Sequence, residues 1–308
     1  MGTFNPILNF LFPPMAIFLL VLVLPPFLVV KLLGCIKRSI QSENVKGKVV
    51  LITGASSGIG ECIAYEYASR GARLALTARR QDRLQAVANK ARELGSPDVI
   101  VICADVSREE DCKRFVNETV EHFGQLDHLV NNAGVPRAGL FEKVANISDL
   151  SPVMDINFWG SLYSTHFAIP HLKRSKGKII VNSSVLGWLS LPGSGIYNAS
   201  KAALISFYET LSAEFGEDIG ITIVTPGFVE TEMMQGNRLQ SKVPIPFESS
   251  EVCAKAMVDS ACRGDLYSTE PSWLRICFLF KALCPELVDR CIHWLMISMK
   301  HPDLNSPD

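Results

Sequence analysis

Three side chains in the second half of the sequence have the types and spacing that acid–base chemistry needs. Tyr197 and Lys201 are four residues apart in a stretch of helical character, so they share one helix face. An ammonium group beside a phenol favours the phenolate, which brings the tyrosine towards the working range of a proton donor and acceptor. Ser184 lies 13 residues before Tyr197, just after an apolar run typical of a buried strand. A tyrosine and a lysine on a solvated helix usually have no function, and the serine at the ligand-binding edge of a sheet is what indicates a site.

A glycine-rich loop near the start of the chain indicates a phosphate-binding turn. The letters T-G-A-S-S-G-I-G run from Thr53 to Gly60, between an apolar run and the helical run Glu61 to Arg70. Glycines let the backbone approach a pyrophosphate closely, and a helix N-terminus supplies free N–H groups. The spacing G-x-x-x-G-x-G differs from the more usual G-x-G-x-x-G, but the strand, loop and helix context predicts a dinucleotide site. The loop residues predicted to contact the cofactor are Gly54, Ser56, Ser57, Gly58, Ile59 and Gly60.

The end of the second apolar run bears on which dinucleotide binds. Selection of NAD needs a carboxylate there, and this sequence has Ala78, Arg79 and Arg80 instead. A guanidinium holds a phosphate in a bidentate manner, so Arg79 predicts NADP(H) as the cofactor. The alternative is that Arg79 and Arg80 only solvate the start of a helix. Asp105, after the third run, is predicted to contact the adenine. A turn of small residues that lets the cofactor pass close to the backbone follows the fourth run, at Asn132, Ala133 and Gly134.

Short β-branched runs alternate with helical stretches along most of the chain, which is typical of a doubly wound parallel sheet. Each run is apolar nearly throughout, as expected for strands that helices cover on both faces. The predicted strands are Val49–Thr53, Arg73–Thr77, Val99–Cys103, Leu126–Asn131, Lys178–Asn182 and Ile221–Thr225. We therefore predict an α/β, Rossmann-like catalytic domain over residues 47–264, preceded by a polar linker at 39–46.

Residues 1–38 are predicted to form a membrane anchor. No charged side chain occurs from Gly2 to Val30, and 21 of the 27 residues from Ile7 to Leu33 are apolar. A cleaved signal peptide is the competing interpretation, but no basic residue precedes the run and no small-residue cleavage pattern follows it. The proline pairs at 13–14 and 25–26 leave open whether the segment spans once or returns as a hairpin. Basic residues lie only on its C-terminal side, which predicts a cytosolic domain.

The C-terminal segment 265–308 has a different pattern, with two apolar or amphipathic helices predicted at Trp273–Cys284 and Leu287–Met299. They could cap a pocket, pair two subunits, lie on the membrane or simply complete the core. The chain has 30 Lys+Arg against 31 Asp+Glu, a balance that argues against a nucleic-acid partner. Its nine cysteines include no C-x-x-C pair, so neither a disulfide framework nor a metal site is predicted.

Taken together, these motifs resemble those of the short-chain dehydrogenase/reductase family. In the family's order, the matching residues are Thr53 to Gly60, Asn131 to Gly134, Asn157, Ser184, Tyr197 to Lys201, and Pro226-Gly227 with Thr231. The resemblance implies that Tyr197 is the acid/base and that Ser184 orients the substrate oxygen, so both contact substrate. It implies that Lys201 binds the nicotinamide ribose and tunes Tyr197, and that Asn157 positions Lys201 through a water. Tyr197 and Lys201 would therefore also contact the cofactor, as would Pro226, Gly227 and Thr231 at its nicotinamide end.

Within that family, the sequence is most similar to plant hydroxysteroid dehydrogenase-like proteins, the steroleosins and their shorter relatives. The anchor, the segments 64–68 and 74–80, and Tyr267 to Trp273 carry this narrower resemblance. It implies a membrane-anchored, NADP-dependent oxidoreductase of a sterol-like alcohol or ketone, at the endoplasmic reticulum or lipid-droplet surface. A long-chain lipid or retinoid is the alternative substrate, and a non-enzymatic lipid-droplet coat protein is the alternative function. The oligomeric state stays open, with a homodimer among the alternatives.

Overall fold

The computed structural model describes residues 4–40, 42–235 and 247–298, and the chain forms two compact units, Met1–Glu43 and Asn44–Asp308. The first unit contains one helix, α1, Phe4–Ile40, which continues through both proline pairs. Its segment Asn9–Gly34 has a mean hydropathy of 2.7 and is not buried within the protein. At ~1.5 Å rise per residue it measures about 39 Å, against ~30 Å for a bilayer core. By length and composition this helix is therefore a candidate membrane span, and the described part of the segment does not fold back as a hairpin.

The second unit is built on a seven-stranded sheet in the order β3-β2-β1-β4-β5-β6-β7, and every neighbouring pair is parallel. The strands are β1 Val49–Thr53, β2 Arg73–Ala78, β3 Val99–Cys103, β4 His128–Asn131, β5 Lys178–Asn182, β6 Gly220–Pro226 and β7 Tyr267–Glu270. The central strands are buried on both faces because apolar side chains point alternately to either side. The predicted doubly wound parallel sheet is confirmed.

Helices cover both faces of this sheet. The described helices of this unit are α2 Gly58–Ser69, α3 Gln81–Glu93, α4 Glu109–Phe123, α5 Ser151–Met154, α6 Gly160–Ser175, α7 Gly195–Phe215, α8 Glu232–Gln235, α9 Ser250–Arg263, α10 Arg275–Leu283 and α11 Pro285–Ser298. One apolar layer joins the sheet to α2, α3 and α9, and the other joins it to α4, α6 and α7. The strand order reverses between β1 and β4, so a crevice opens at their carboxyl ends.

The sequence did not predict the seventh strand, β7, which lies beyond residue 264 and extends the sheet into the C-terminal segment. Its buried residues are polar, so they lack the apolar pattern by which strands are recognised. Hydrogen bonds satisfy them instead: Ser260 Oγ donates to Ser268 Oγ at 2.9 Å, and the Thr225 and Thr269 hydroxyls are 2.9 Å apart. The two helices predicted after this point correspond to α10 and α11, with Met299 lying outside the described residues.

Candidate active site

Nearly every residue that the sequence predicted for the site lines the crevice at the carboxyl ends of the strands, which is called the cleft below. Asn157 is the exception, because it lies behind the wall of the cleft and does not line it. The predicted residues that line the cleft are Gly54, Ser56, Ser57, Gly58, Ile59, Gly60, Arg79, Asp105, Asn132, Ala133, Gly134, Ser184, Tyr197, Lys201, Pro226, Gly227 and Thr231. Lining residues that the sequence did not single out include Asn182, Glu232 and Met233, and Arg80, which the sequence analysis assigned no cofactor contact, also lines the cleft.

The glycine loop between β1 and α2 is shaped by close backbone contacts. Gly54 has φ +66°, and a Cβ there would lie 2.8 Å from the Cα atom of Ala133. Gly58 has φ +59°, and a Cβ would come within 3.3 Å of a Thr231 methyl group. A Cβ on Gly60 would overlap the Gly54 carbonyl oxygen. Because no side-chain hydrogen bond caps α2, its first N–H groups are available to an anion, and this cradle fits a pyrophosphate.

A network of hydrogen bonds fixes the turn after β4 against this loop. The Thr53 hydroxyl accepts from the backbone N–H groups of Asn132 at 3.0 Å and Ala133 at 3.1 Å. The Asn132 amide donates to the Thr53 carbonyl at 3.0 Å, and the Asn182 amide donates to Asn132 Oδ1 at 2.8 Å. Asn182 Oδ1 itself is buried without a hydrogen-bond partner, although Asn182 lines the cleft. An unpartnered buried acceptor at this position favours a ligand that carries donor groups.

Lys201 and Tyr197 meet on one face of α7, as their spacing predicted. Lys201 Nζ donates to the Asn182 carbonyl oxygen at 2.7 Å and lies 5.7 Å from the centroid of the Tyr197 ring. Burial lowers the pKa of Lys201 from 10.5 to about 8, because the ammonium loses its hydration. Burial likewise raises the pKa of Tyr197 to about 12, and a hydrogen bond with Ser184 opposes the rise. The residues alone therefore do not bring about the lowered tyrosine pKa expected from the sequence, since loss of solvent outweighs the effect of the hydrogen bond with Ser184.

Ser184 is held in position by the turn that follows β5. Its hydroxyl accepts from the backbone N–H of Leu186 at 3.1 Å and donates to the Pro226 carbonyl oxygen at 3.4 Å. This turn, Val185–Gly187, is called the serine turn below. It packs closely against α7 at Gly187, where a Cβ would lie 3.0 Å from the Lys201 carbonyl oxygen. Gly187 therefore sets the distance between the serine turn and the helix of Tyr197 and Lys201. The sequence analysis did not single out this glycine, because the close approach arises only in the folded chain.

Asn157 lies in a π-helical turn, Asp155–Trp159, and is fully buried. Its Oδ1 accepts from the Val135 backbone N–H at 2.8 Å, and its Nδ2 donates to the Val135 carbonyl at 3.1 Å and to Ser200 Oγ at 3.0 Å. A Cβ on Gly134 would be 3.3 Å from Asn157 Oδ1 and 3.6 Å from Lys201 Nζ. The Asn157 amide oxygen and the Lys201 ammonium group therefore both lie beside Gly134. The side chain thus joins the loop after β4 to the residue that precedes Lys201.

The arginines after β2 differ in what they contact. Arg79 lines the cleft, whereas Arg80 donates to Ser57 Oγ at 2.6 Å and to Ser56 Oγ at 3.2 Å. Asp105 also lines the cleft, but one of its carboxylate oxygens accepts from the backbone N–H of Ser107 at 3.0 Å. The polar end of the cleft therefore presents guanidinium groups beside the serines of the glycine loop.

The C-terminal segment supports the opposite end of the cleft. The Gly227 backbone N–H donates to the Glu270 carbonyl oxygen at 2.7 Å, which joins the loop after β6 to β7. A Cβ on Gly227 would overlap the side chain of Leu274, in the short turn Ser272–Leu274 before α10. Phe278 of α10 then meets Trp188 edge to face, with ring centroids 5.5 Å apart. Residues beyond 264 thus hold the loop after β6 in place and contact the end of the serine turn.

Comparison with known families shows which proteins share this arrangement. Residues 48–242 match the profile of the short chain dehydrogenase family. The chain belongs to the short-chain dehydrogenase family. The match confirms the resemblance inferred from the motifs. Members of this family are oxidoreductases that act on hydroxyl groups.

The most similar relatives and structures narrow the comparison. This short-chain dehydrogenase is 53% identical to 11-beta-hydroxysteroid dehydrogenase-like 2 of Arabidopsis thaliana over 304 residues, which cover 98% of either chain. It is 52% identical to 11-beta-hydroxysteroid dehydrogenase A of Arachis hypogaea, with 94% of this chain and 87% of that protein covered. The narrower resemblance to plant hydroxysteroid dehydrogenase-like proteins is thereby confirmed.

Two solved structures share the fold and contain a dinucleotide. A short chain dehydrogenase/reductase of Burkholderia phymatum in complex with NAD superposes with a TM-score of 0.73 at 26% identity, covering 79% of this chain and 96% of that one. An alcohol dehydrogenase of the archaeon Thermococcus sibiricus, complexed with 5-hydroxy-NADP, has a TM-score of 0.64 at 29% identity, with 73% and 96% covered. One neighbour holds NAD and the other an NADP derivative, so structural similarity does not select between the two cofactors.

Proposed function

We propose that this short-chain dehydrogenase is a membrane-anchored, NADP-dependent enzyme that interconverts a hydroxyl and a ketone on a sterol-like substrate. The observation that carries the proposal is the grouping of Ser184, Tyr197 and Lys201 at one end of a cleft whose other end is the glycine cradle. Such a grouping places a proton donor beside the end of a bound dinucleotide, as carbonyl reduction requires. A coat protein would have no need for this arrangement.

The side chains divide the work of moving a proton. The Ser184 hydroxyl, held by Leu186 and Pro226, orients the substrate oxygen, and the Tyr197 hydroxyl donates a proton to it or accepts one from it. When bound, the dinucleotide supplies or accepts the hydride. Lys201 would hold the ribose hydroxyls of the bound dinucleotide, and its own position is fixed by the Asn182 carbonyl. Asn157 fixes the loop at Val135 and the hydroxyl of Ser200, and so acts as a positioning residue.

The polar end of the cleft supports NADP(H) over NAD(H). The strand β2 ends at Ala78 and is followed by Arg79 and Arg80, so the sequence at this point lacks the carboxylate that would accept from the ribose hydroxyls of NAD. Arg80 lies against the two serines of the glycine loop, where its charge attracts a phosphate. The adenine would lie against Asp105 and the nicotinamide end against Pro226, Gly227 and Thr231.

The substrate class rests on the relatives and on the anchor. The relatives reported above are named as a hydroxysteroid dehydrogenase and a hydroxysteroid dehydrogenase-like protein, and α1 includes a candidate membrane span that would hold the enzyme where sterols dissolve. In α10 and α11, exposed apolar side chains favour contact with a lipid surface, at the endoplasmic reticulum or a lipid droplet. They are Ile276, Phe278, Leu279, Phe280, Leu283, Leu287 and Trp294. A cytosolic domain agrees with the basic residues after the apolar run.

The deciding experiment is a rate measurement on the full chain in detergent micelles. NADPH oxidation and NADP reduction would be followed by absorbance with hydroxy- and keto-steroids, with keto-sphingoid bases and with retinoids. A higher rate with steroids than with the other lipids supports the proposal. If only a long-chain lipid or a retinoid is turned over, that lipid is the substrate class and the sterol proposal is wrong. If no lipid is turned over and Tyr197→Phe leaves every cofactor-dependent activity unchanged, a non-enzymatic lipid-droplet coat protein becomes the better proposal.

A further inference from the structure

Glu232 places a carboxylate at the polar end of the cleft. It is the first residue of α8, and both of its carboxylate oxygens lie within hydrogen-bond reach of Arg83 Nη1, at 2.7 and 2.6 Å. Arg80 Nη1 is 3.5 Å from the same carboxylate, while Arg80 Nη2 donates to Ser57 Oγ at 2.6 Å. Two guanidinium groups and the serine of the glycine loop therefore form a small basic cluster that already holds an anion.

This cluster has the chemistry of a site for a phosphate monoester. Guanidinium groups bind carboxylate and phosphate with the same planar fork of donors, so one anion can take the place of the other. Hydrogen bonds from Arg83 and Arg80 lower the pKa of Glu232, so the carboxylate is ionised and repels a second anion at the cluster. The cluster also adjoins Ser56 and Ser57, where a dinucleotide bound along the glycine loop would present its adenosine ribose.

We propose that Glu232 competes with the 2′-phosphate of NADP(H) for these arginines, and that Arg83 is a specificity-determining residue for that phosphate. The inference rests on the proposed NADP dependence and adds the residues that enforce it. NADP(H) displaces Glu232 from Arg83 and Arg80, and the phosphate takes over their hydrogen bonds. NAD(H) carries no such group and leaves the ion pair in place, so the pair affects only the phosphorylated cofactor.

The charges predict opposite effects for the two partners of the pair. Arg83 loses a carboxylate but gains a phosphate with about 1.5 to 2 negative charges at pH 7, so its removal weakens NADPH binding. Glu232 is repelled by the same phosphate, so its neutralisation strengthens NADPH binding. Both side chains are about half exposed, at 50% and 54%, so the pair is screened and the gain from removing Glu232 is modest.

The test is titration of the full chain in detergent micelles with NADPH and, separately, with NADH, by calorimetry. Glu232→Gln should lower the Kd for NADPH about two- to fivefold, the range expected for an exposed ion pair. Arg83→Gln should raise it about tenfold or more, because a charge-assisted hydrogen bond to phosphate is lost. Neither variant should change the Kd for NADH, and Glu232→Gln should have a smaller effect in the Arg83→Gln background than in the wild type, because only the longer contact with Arg80 remains.

Glu118→Gln is the matched control, because Glu118 pairs with Arg114 at 3.1 Å on α4 with similar exposure but away from the cleft. It should leave both dissociation constants unchanged. The inference is wrong if the wild type prefers NADPH while Glu232→Gln and Arg83→Gln bind it like the wild type. It is also wrong if Arg83→Gln weakens NADH as much as NADPH, since that indicates a general effect on the fold. A wild type that prefers NADH instead refutes the NADP dependence of the proposed function.

Discussion

Substitution of Gly54 by alanine tests how the cofactor cradle is built. Gly54 combines a left-handed φ of +66° with a position where a Cβ would lie 2.8 Å from Ala133 Cα. The left-handed backbone costs an alanine about 1 to 2 kcal/mol, and an overpacked contact adds about 1 to 3 kcal/mol. The contacted atom belongs to the backbone, so no side-chain rotation can relieve it. Gly54→Ala should therefore reduce the free energy of unfolding by about 2 to 5 kcal/mol.

Gly124→Ala separates the two contributions to that loss. Gly124 has φ +78° at the end of α4, but beyond its two chain neighbours no atom of the described residues lies within 4 Å of a Cβ there. In Gly124→Ala, the free energy of unfolding should fall only by the cost of the left-handed backbone, about 1 to 2 kcal/mol in urea denaturation of the full chain. This variant should bind NADPH like the wild type. Gly54→Ala should also raise the Kd for NADPH about tenfold or more, because Ala133 must move in the wall of the cleft. Equal losses of stability in the two variants, with equal NADPH binding, would refute the close approach as the reason for this glycine.

Three further predictions address the site. Tyr197→Phe should reduce kcat about 10²- to 10⁴-fold in steady-state assays, because it removes the proton donor, while calorimetry should find that the variant still binds NADPH; a wild-type rate contradicts the role of Tyr197. Arg79→Ala should weaken NADPH binding much more than NADH binding, and equal losses show that Arg79 does not contact the 2′-phosphate. Burial lowers the pKa of Lys201 from 10.5 to about 8, so between these values the unfolded chain binds more protons and the wild type should gain stability relative to Lys201→Met as pH rises. That relative gain should reach about 3 kcal/mol between pH 7.5 and 10.5 in urea denaturation, and a pH-independent difference contradicts the lowered pKa.

Part of the architecture follows from local pattern alone. Apolar β-branched runs predicted six of the seven strands, because strands buried on both faces need apolar side chains throughout. The strand β7 was missed because Ser268 and Thr269 are buried through hydrogen bonds to residues of other elements. The same limit applies to Gly187 and Gly227, whose importance depends on the neighbours Lys201 and Leu274 that folding brings against them.

The sequence by itself determined which residues carry the proposed chemistry, since Ser184, Tyr197, Lys201 and the glycine loop belong to short motifs that can be recognised locally. Only the tertiary structure decided the electrostatics. The pKa of Tyr197 rises because the site is desolvated, which no spacing along the chain records. Likewise, Arg83 and Glu232 are 149 residues apart in the chain and meet only at the edge of the cleft. Residue types and short spacings are fixed before folding, whereas burial and long-range charge pairs exist only once the chain has folded.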